Sequence, residues 1–160
     1  MASRSEAALL TATKEIISTQ GIKNLAMIDI ADLSEVSRAT LYNHFRDKDA
    51  VLYSLLSREV IHLFENAPKN PAEVLEYFSL AISADPALAG MRSHDPAIVA
   101  TMLMRSDDKI WHAIDAFFLS ALGSETKAGI AIAWLLAQVF QPLTPEQSRA
   151  QSSQLLHAYL

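Results

Sequence analysis

The chain has 160 residues, 51% apolar and 19% charged, enough to bury a core and too apolar for a disordered tail. Its formal charge of −5 argues against a protein that coats nucleic acid indiscriminately, while site-specific binding stays open. With no cysteine, disulfide frameworks, thiolate zinc sites, iron–sulfur clusters and cysteine nucleophiles are excluded, and a reducing cytoplasm fits. The longest unbroken apolar stretch, Ala128 to Ala137, is ten residues, about half a membrane span. Arg4, Glu6 and Lys14 stand where a signal peptide would have its apolar core, so a soluble cytoplasmic protein is expected, with no membrane partner.

No segment alternates strictly as a half-buried strand would, whereas apolar residues recur at three- and four-residue spacing along most of the chain, so the expected fold is all-α. A first helix is expected over 5–20, with Leu9, Leu10, Ile16 and Ile17 on one face, small Thr13 between them, and Gly21 as its C-terminal cap. Two short helices follow at 27–33 and 37–44, separated only by Ser34, Glu35 and Val36. A longer helix over 48–66 turns Val51, Leu52, Leu55, Leu56, Val60, Leu63 and Phe64 inward. All six prolines lie beyond residue 67. The first two mark a break, and Asn70-Pro71, Asp85-Pro86, Asp95-Pro96 and Thr144-Pro145 each place a capping side chain before a helix-starting proline. Thr144 and Gln147 have capping-box spacing. The remaining helices are expected at 71–84, 86–91, 96–105, 107–122, 125–140 and 145–159.

In the segment from Val36 to Phe45, Val36, Leu41 and Phe45 can share one small core while Ala39, Tyr42 and Asn43 point the other way. Ser37 can cap that helix, whose N-terminus suits a phosphate. Two short helices with a tight corner and a polar, aromatic outer face fit a helix-turn-helix; a helical hairpin with a solvated face fits them too.

In order and spacing, Gly21, Ile30-Ala31, Val36-Ser37, Thr40-Leu41-Tyr42, His44-Phe45 and Lys48 resemble the N-terminal signature of the TetR family of transcriptional regulators. The likeness covers residues 5 to 56, and beyond them only helical character and size agree. It implies an all-helical homodimer, with an N-terminal helix-turn-helix three-helix head that binds operator double-stranded DNA and a C-terminal helical bundle body that binds a small effector and dimerises. The divisions would be a head over 1–47, a connecting helix over 48–66 and a body over 67–160. The resemblance also makes Arg38, Ala39 and Asn43 candidates for base edges, and Thr40, Tyr42 and His44 candidates for the backbone or groove. Ser37 belongs to the same DNA-binding set, and Lys48 is the candidate phosphate clamp. Chemistry agrees for Arg38, whose fork matches guanine, and for Asn43, which can pair with adenine. His44 can equally be structural, packed beside Phe45.

Two residues depart from the family pattern. Ala26 stands where a capping Thr or Ser usually opens the second helix, and Glu35 replaces the glycine of the turn. Glu35 implies a corner without a left-handed residue, or a strained one, with an acid near DNA. In residues 1–50 six basic side chains face seven acidic ones, so weak non-specific DNA binding is expected.

In the body, helix 125–140 is apolar nearly all round and carries the small residues Gly129, Ala133 and Ala137. With helix 145–159 it is expected to form a homodimer; the alternative is a central helix of a monomer. Phe64, Tyr77, Phe78, Met91, Met102, Met104, Trp111, Phe117 and Phe118 suit an adaptable apolar cavity or a solid core. The effector candidates taken from them are Phe64, Tyr77, Phe78, Met102, Trp111 and Phe118, with His112 as a polar partner; His62, His94 and Arg105 are further polar groups. The expected function is a DNA-binding transcriptional regulator, a repressor released by a small, mainly apolar effector, without enzymatic activity, cofactor or metal. The alternatives are a helical metal- or carboxylate-dependent enzyme, for which Glu59 and His62 or Asp108, His112 and Asp115 would serve, and a protein-interaction module that has lost DNA binding. No phosphate loop, nucleotide fingerprint or metalloprotease helix is present.

Overall fold

The computed structural model describes residues 3–104 and 107–157, with the side chains of all of these except Ala72 and His157. Among them the chain forms helices and no strand: α1 (Arg4–Gln20), α2 (Met27–Ser34), α3 (Arg38–His44), α4 (Lys48–Glu65), α5 (Pro71–Ala84), α6 (Pro86–His94), α7 (Pro96–Met102), α8 (Lys109–Leu122), α9 (Glu125–Phe140) and α10 (Pro145–His157). None of these helices is long and apolar enough to cross a membrane. Residues 105 and 158–159, placed in helices by the sequence pattern, lie outside the described residues.

Local chemistry accounts for most boundaries. Gly21 ends α1 at φ 77°, a conformation that costs an L-residue and leaves glycine indifferent. Pro71, Pro86, Pro96 and Pro145 each begin a helix. The Asp85 carboxylate accepts from the Leu88 N–H at 2.9 Å. Thr144 and Gln147 cap each other reciprocally, Thr144 N–H to Gln147 Oε1 at 2.9 Å and Gln147 N–H to Thr144 Oγ1 at 3.3 Å. Asp95 departs from the expected pattern, since its side chain does not cap α7. Its buried carboxylate instead accepts from the backbone N–H of Lys23, at 3.0 Å. A long-range partner outcompetes the local one here because the Lys23 N–H lies in the loop after α1, against which Asp95 is packed.

Two apolar clusters divide the interior. The first joins α1, α2, α3 and the start of α4 to Ala87 and Met91 of α6 and Val99 of α7. The second is built on α5, α8 and α9, with Leu63 and Phe64 from the end of α4 against it. α6 lies so close to α1 that a Cβ at Gly90 would run into the carbonyl oxygens of Ile17 and Ser18. Beside this contact Lys14 reaches two carboxylates, Glu59 of α4 at 2.6 Å and Asp85 at 2.7 Å. Burial pulls the Lys14 pKa down, but hydrogen bonds and charge from Asp85 and Glu59 outweigh it and leave the ammonium above its ordinary value.

One expected face differs in the structure. Leu56, expected inward, is 39% exposed; α4 turns Val51 and Leu55 into the core, and Leu56 falls about 100° further round its helix. α9 is covered on one side by this chain, with Ala128, Ala131, Ile132, Leu135, Gln138 and Val139 buried. Gly129, Ala133, Ala137 and Phe140 remain exposed on the other side.

Gly90→Ala is therefore expected to force α6 from α1 and cost about 1–3 kcal/mol, visible as a lower urea midpoint with unchanged helical circular dichroism.

Candidate nucleic-acid interface

α2 and α3 meet at a three-residue corner whose central feature is Glu35, left-handed at φ 55° and ψ 27°. It is the one non-glycine residue with positive φ among those described. The corner closes with Glu35 N–H to Asp32 O at 3.3 Å and Val36 N–H to Ala31 O at 3.2 Å. Satisfying those carbonyls requires the left-handed residue, so of the two expectations for Glu35 the strained one is found. At the other end of α2, Ala26 makes no side-chain cap.

α3 begins at Ser37, whose Oγ accepts from the Thr40 N–H at 3.1 Å and lies 2.8 Å from the Thr40 hydroxyl. Leu41 is fully buried and Phe45 nearly so, with half-buried Val36 packed against the same cluster. With that side committed to the core, Arg38, Ala39, Tyr42 and Asn43 are all exposed, Tyr42 to 56%. Ala39, Tyr42 and Asn43 are the residues the sequence pattern places outward, and Arg38 stands beside them. Thr40 is half-buried and tied to Ser37.

His44 has work within the head. Its Nε2 lies 2.9 Å from Ser5 Oγ and 3.3 Å from Ser3 Oγ, while its ring sits 6.0 Å from that of Phe45. It joins the end of α3 to the start of α1, where Ser3 caps the helix. Lys48 is half-buried, with its ammonium donating to the Ile22 carbonyl at 3.3 Å. Beside it, Asp47 caps α4 through the Ala50 N–H at 2.9 Å and pairs with Arg46 at 2.7 Å. The Ala50 N–H holds the Asp47 carboxyl below its usual range, aided by Arg46. Sequence reasoning passed over Arg46, an exposed cation next to Lys48. It also missed the serines that receive His44, since only the fold brings residues 3 and 5 to residue 44.

The effector candidates do not form one site. Phe64 stacks on Phe117 at 4.3 Å; Phe78 stands 5.3 Å from Phe117, 5.0 Å from Phe118 and 5.3 Å from Tyr77. With buried Trp111 they belong to one packed cluster, so the aromatic rings fill the core of the body. Met102 and His112 stand apart as corrections to the expected set. Met102 is exposed at the end of α7, a helix that packs with the head cluster, and His112 points outward from α8, its Nε2 2.6 Å from the Asp107 carboxylate. Met91 is buried with the head and Met104 is exposed. His62 lies against Asn66, and His94 is exposed beside Gly21. Arg105 lies outside the described residues.

The residues offered for metal chemistry have other partners. Glu59 is held by Lys14 and Arg58, and Asp108 caps α8 through the N–H groups of Ile110 and Trp111. Among the described residues no three His, Asp or Glu side chains gather as a metal would need.

Comparison with known proteins bears on the head and on the whole fold separately. Residues 9–55 match the family model of bacterial regulatory proteins of the tetR family. In three dimensions the chain is similar to the dihydroxyacetone kinase operon activator DhaS, with a TM-score of 0.70 at 12% identity, over 97% of this chain and 95% of that one. It is also similar to a TerR/AcrR-family transcriptional regulator from Aquifex aeolicus VF5 (TM-score 0.62, 18% identity, 98% and 99% covered). A TetR transcriptional regulator from Rhodococcus sp. RHA1 gives a TM-score of 0.58 at 14% identity, with 98% and 97% covered. At these identities the likeness is one of fold. No curated protein matches the chain by sequence.

Glu35→Gly is expected to raise stability by about 1 kcal/mol by relieving the left-handed backbone. If the Glu35 carboxylate faces phosphate, both Glu35→Gly and Glu35→Gln tighten DNA binding at low salt; unchanged affinity in Glu35→Gln would place the acid away from the duplex.

Proposed function

The chain belongs to the TetR family of transcriptional regulators, and from that premise we propose that it is a cytoplasmic, non-catalytic homodimeric repressor, released from its operator by a small, mainly apolar effector. The observation that carries the DNA-reading part is the division of α3. Leu41 and Phe45 anchor one side, leaving Arg38, Ala39, Tyr42 and Asn43 exposed together on the other. A helix so divided can lie in a major groove with Arg38 and Asn43 on base edges and Tyr42 on backbone. Ser37 and Thr40 frame its entry, while His44 and Lys48 brace the head as well as standing near the same face.

The dimer reading rests on α9. Gly129, Ala133 and Ala137 are exposed on a helix whose other side is buried, and nothing lies within 4 Å of where a Gly129 Cβ would be. A second copy of α9 would cover this face, with the polar outer residues of α10, such as Gln147 and Gln151, as a rim.

Release is mechanical in this reading. α4 has its first turn in the head, where Lys48 holds Ile22, and its last turn in the body, where Phe64 stacks on Phe117. Its 18 residues span about 27 Å, so a small tilt at the body end shifts heads that must match grooves about 34 Å apart. A ligand drives this only by preferring the DNA-incompetent state, by about 5 kcal/mol for a near-complete switch.

Gel shift with the DNA upstream of the protein's own gene tests binding, and transcription in vitro from that DNA separates repression from the activation named for one of the structural relatives. Selection from random duplexes should return a sequence-selective site; its absence would leave a protein-interaction module. Arg38→Ala is expected to relax discrimination at one base pair of each half-site by about 1–3 kcal/mol, whereas Lys48→Ala weakens all sequences alike. Ala133→Glu should convert a micromolar dimer to monomer in light scattering, because it sets an unpaired charge in the contact.

A further inference from the structure

With the centre of the body filled by aromatic rings, the open space lies at its edge. A cleft of about 660 Å3 runs between the first turns of α5, the corner of α8 and α9, and the end of α10. That volume is in the range of sites that hold small molecules. Its apolar wall includes Leu75, Leu122, Ile130 and Leu156, of which only Leu75 is fully buried. A ligand laid against the other three would complete a burial that this chain leaves unfinished.

The charges around the cleft are unevenly satisfied. Arg149 is paired with Glu76 at 3.1 Å, and the exposed Glu73 carboxylate accepts from the Asn70 amide at 3.2 Å. Lys127 is half-buried at the cleft wall, and its ammonium has no hydrogen-bond or ion-pair partner among the described residues. Two cations and two carboxylates leave the lining neutral in sum, so the preference is local: one negative group beside Lys127, with an apolar body extending over the leucines and Ile130.

We propose that this cleft binds a small amphipathic carboxylate, its head on Lys127 and its apolar tail on Leu122, Ile130 and Leu156. The proposal deepens the effector reading above and rests on it for its regulatory sense, but occupancy of the site can be tested without DNA. α10 is poised to respond. One edge of it lines the cleft, and besides Leu155 and Leu156, which pack on the body cluster, it is held by polar contacts: Ser148 to Ser79 at 2.8 Å, Gln151 to the Trp134 indole at 2.8 Å, and Arg149 to Glu76. Trp134 therefore reports on any shift of α10.

The full chain is titrated with decanoate, decan-1-ol and decyltrimethylammonium, each below its micelle concentration, by calorimetry and tryptophan fluorescence. Decanoate is expected to bind at least tenfold tighter than the alcohol and the cation. Lys127→Met, which keeps the aliphatic stem, should bring decanoate down to the level of the alcohol, and Ile130→Trp, which fills the cleft, should abolish binding of both. Unchanged circular dichroism verifies that each variant folds. The proposal is overturned if decanoate fails to bind, if alcohol or cation binds as well, if Lys127→Met retains full affinity, or if Ile130→Trp leaves binding intact. Decanoate binding that leaves operator affinity unchanged upholds the site and overturns its role as the effector site.

Discussion

Where α6 crosses α1 there is no room for a side chain on Gly90, and the helices meet backbone to backbone at Ile17 and Ser18. The relation of head to body depends on that contact. Two polar fastenings flank it, the Asp95 carboxylate on the Lys23 N–H and the Lys14 ammonium between Asp85 and Glu59. Each joins segments distant in sequence, and each is partly withdrawn from water, where a charged hydrogen bond counts for more than it does at the surface. α6 also carries Arg92, which donates to the Val139 carbonyl of α9 at 2.7 Å. A continuous line of packed elements thus leads from α3 through α1 and α6 to α9, from the proposed DNA face to the proposed dimer face. α4 runs beside it as a second connection, pinned to α1 by Lys14 and to the aromatic core by Phe64.

The two interior clusters have different characters, and the difference bears on function. The head cluster is largely aliphatic and includes α6 and α7, so the head is seated in a cradle made by residues that follow the proline-marked break. The body cluster is aromatic. Rings packed edge to face and in offset stacks fill volume efficiently and resist rearrangement, which leaves the periphery beneath α10 as the place where space remains. α10 itself is set by a buried polar seam in which Ser79 bonds both Gln138 and Ser148, with Gln138 only 2% exposed. Hydrogen bonds of this kind fix register by direction, where apolar contact alone would tolerate sliding.

The helix-turn-helix shows a local conflict and its compensation. Ala26 provides no cap and Glu35 is held in a conformation unfavourable for its type. Against these, Ser37 caps α3, Leu41 and Phe45 anchor it, and His44 fastens its end to Ser5 at the start of α1. A corner that is strained locally persists because the surrounding packing over-determines it.

Helical periodicity, capping residues and prolines determined the helices from the sequence alone, because each of those signals is settled within a turn or two of the chain. The outward set on α3 was legible for the same reason: once Leu41 and Phe45 are assigned to a core, helical geometry turns Ala39, Tyr42 and Asn43 away from them. Tertiary structure decided what depends on distant partners. It sent the Asp95 carboxylate to Lys23 instead of the α7 terminus and gave His44 to Ser5. It also closed the aromatic residues into a solid cluster without Met102 and His112, and left Leu56 and one face of α9 uncovered. A side chain's sequence neighbours cannot reveal which remote backbone group or ring lies within about 4 Å of it, and at these positions such contacts outweighed the local preference.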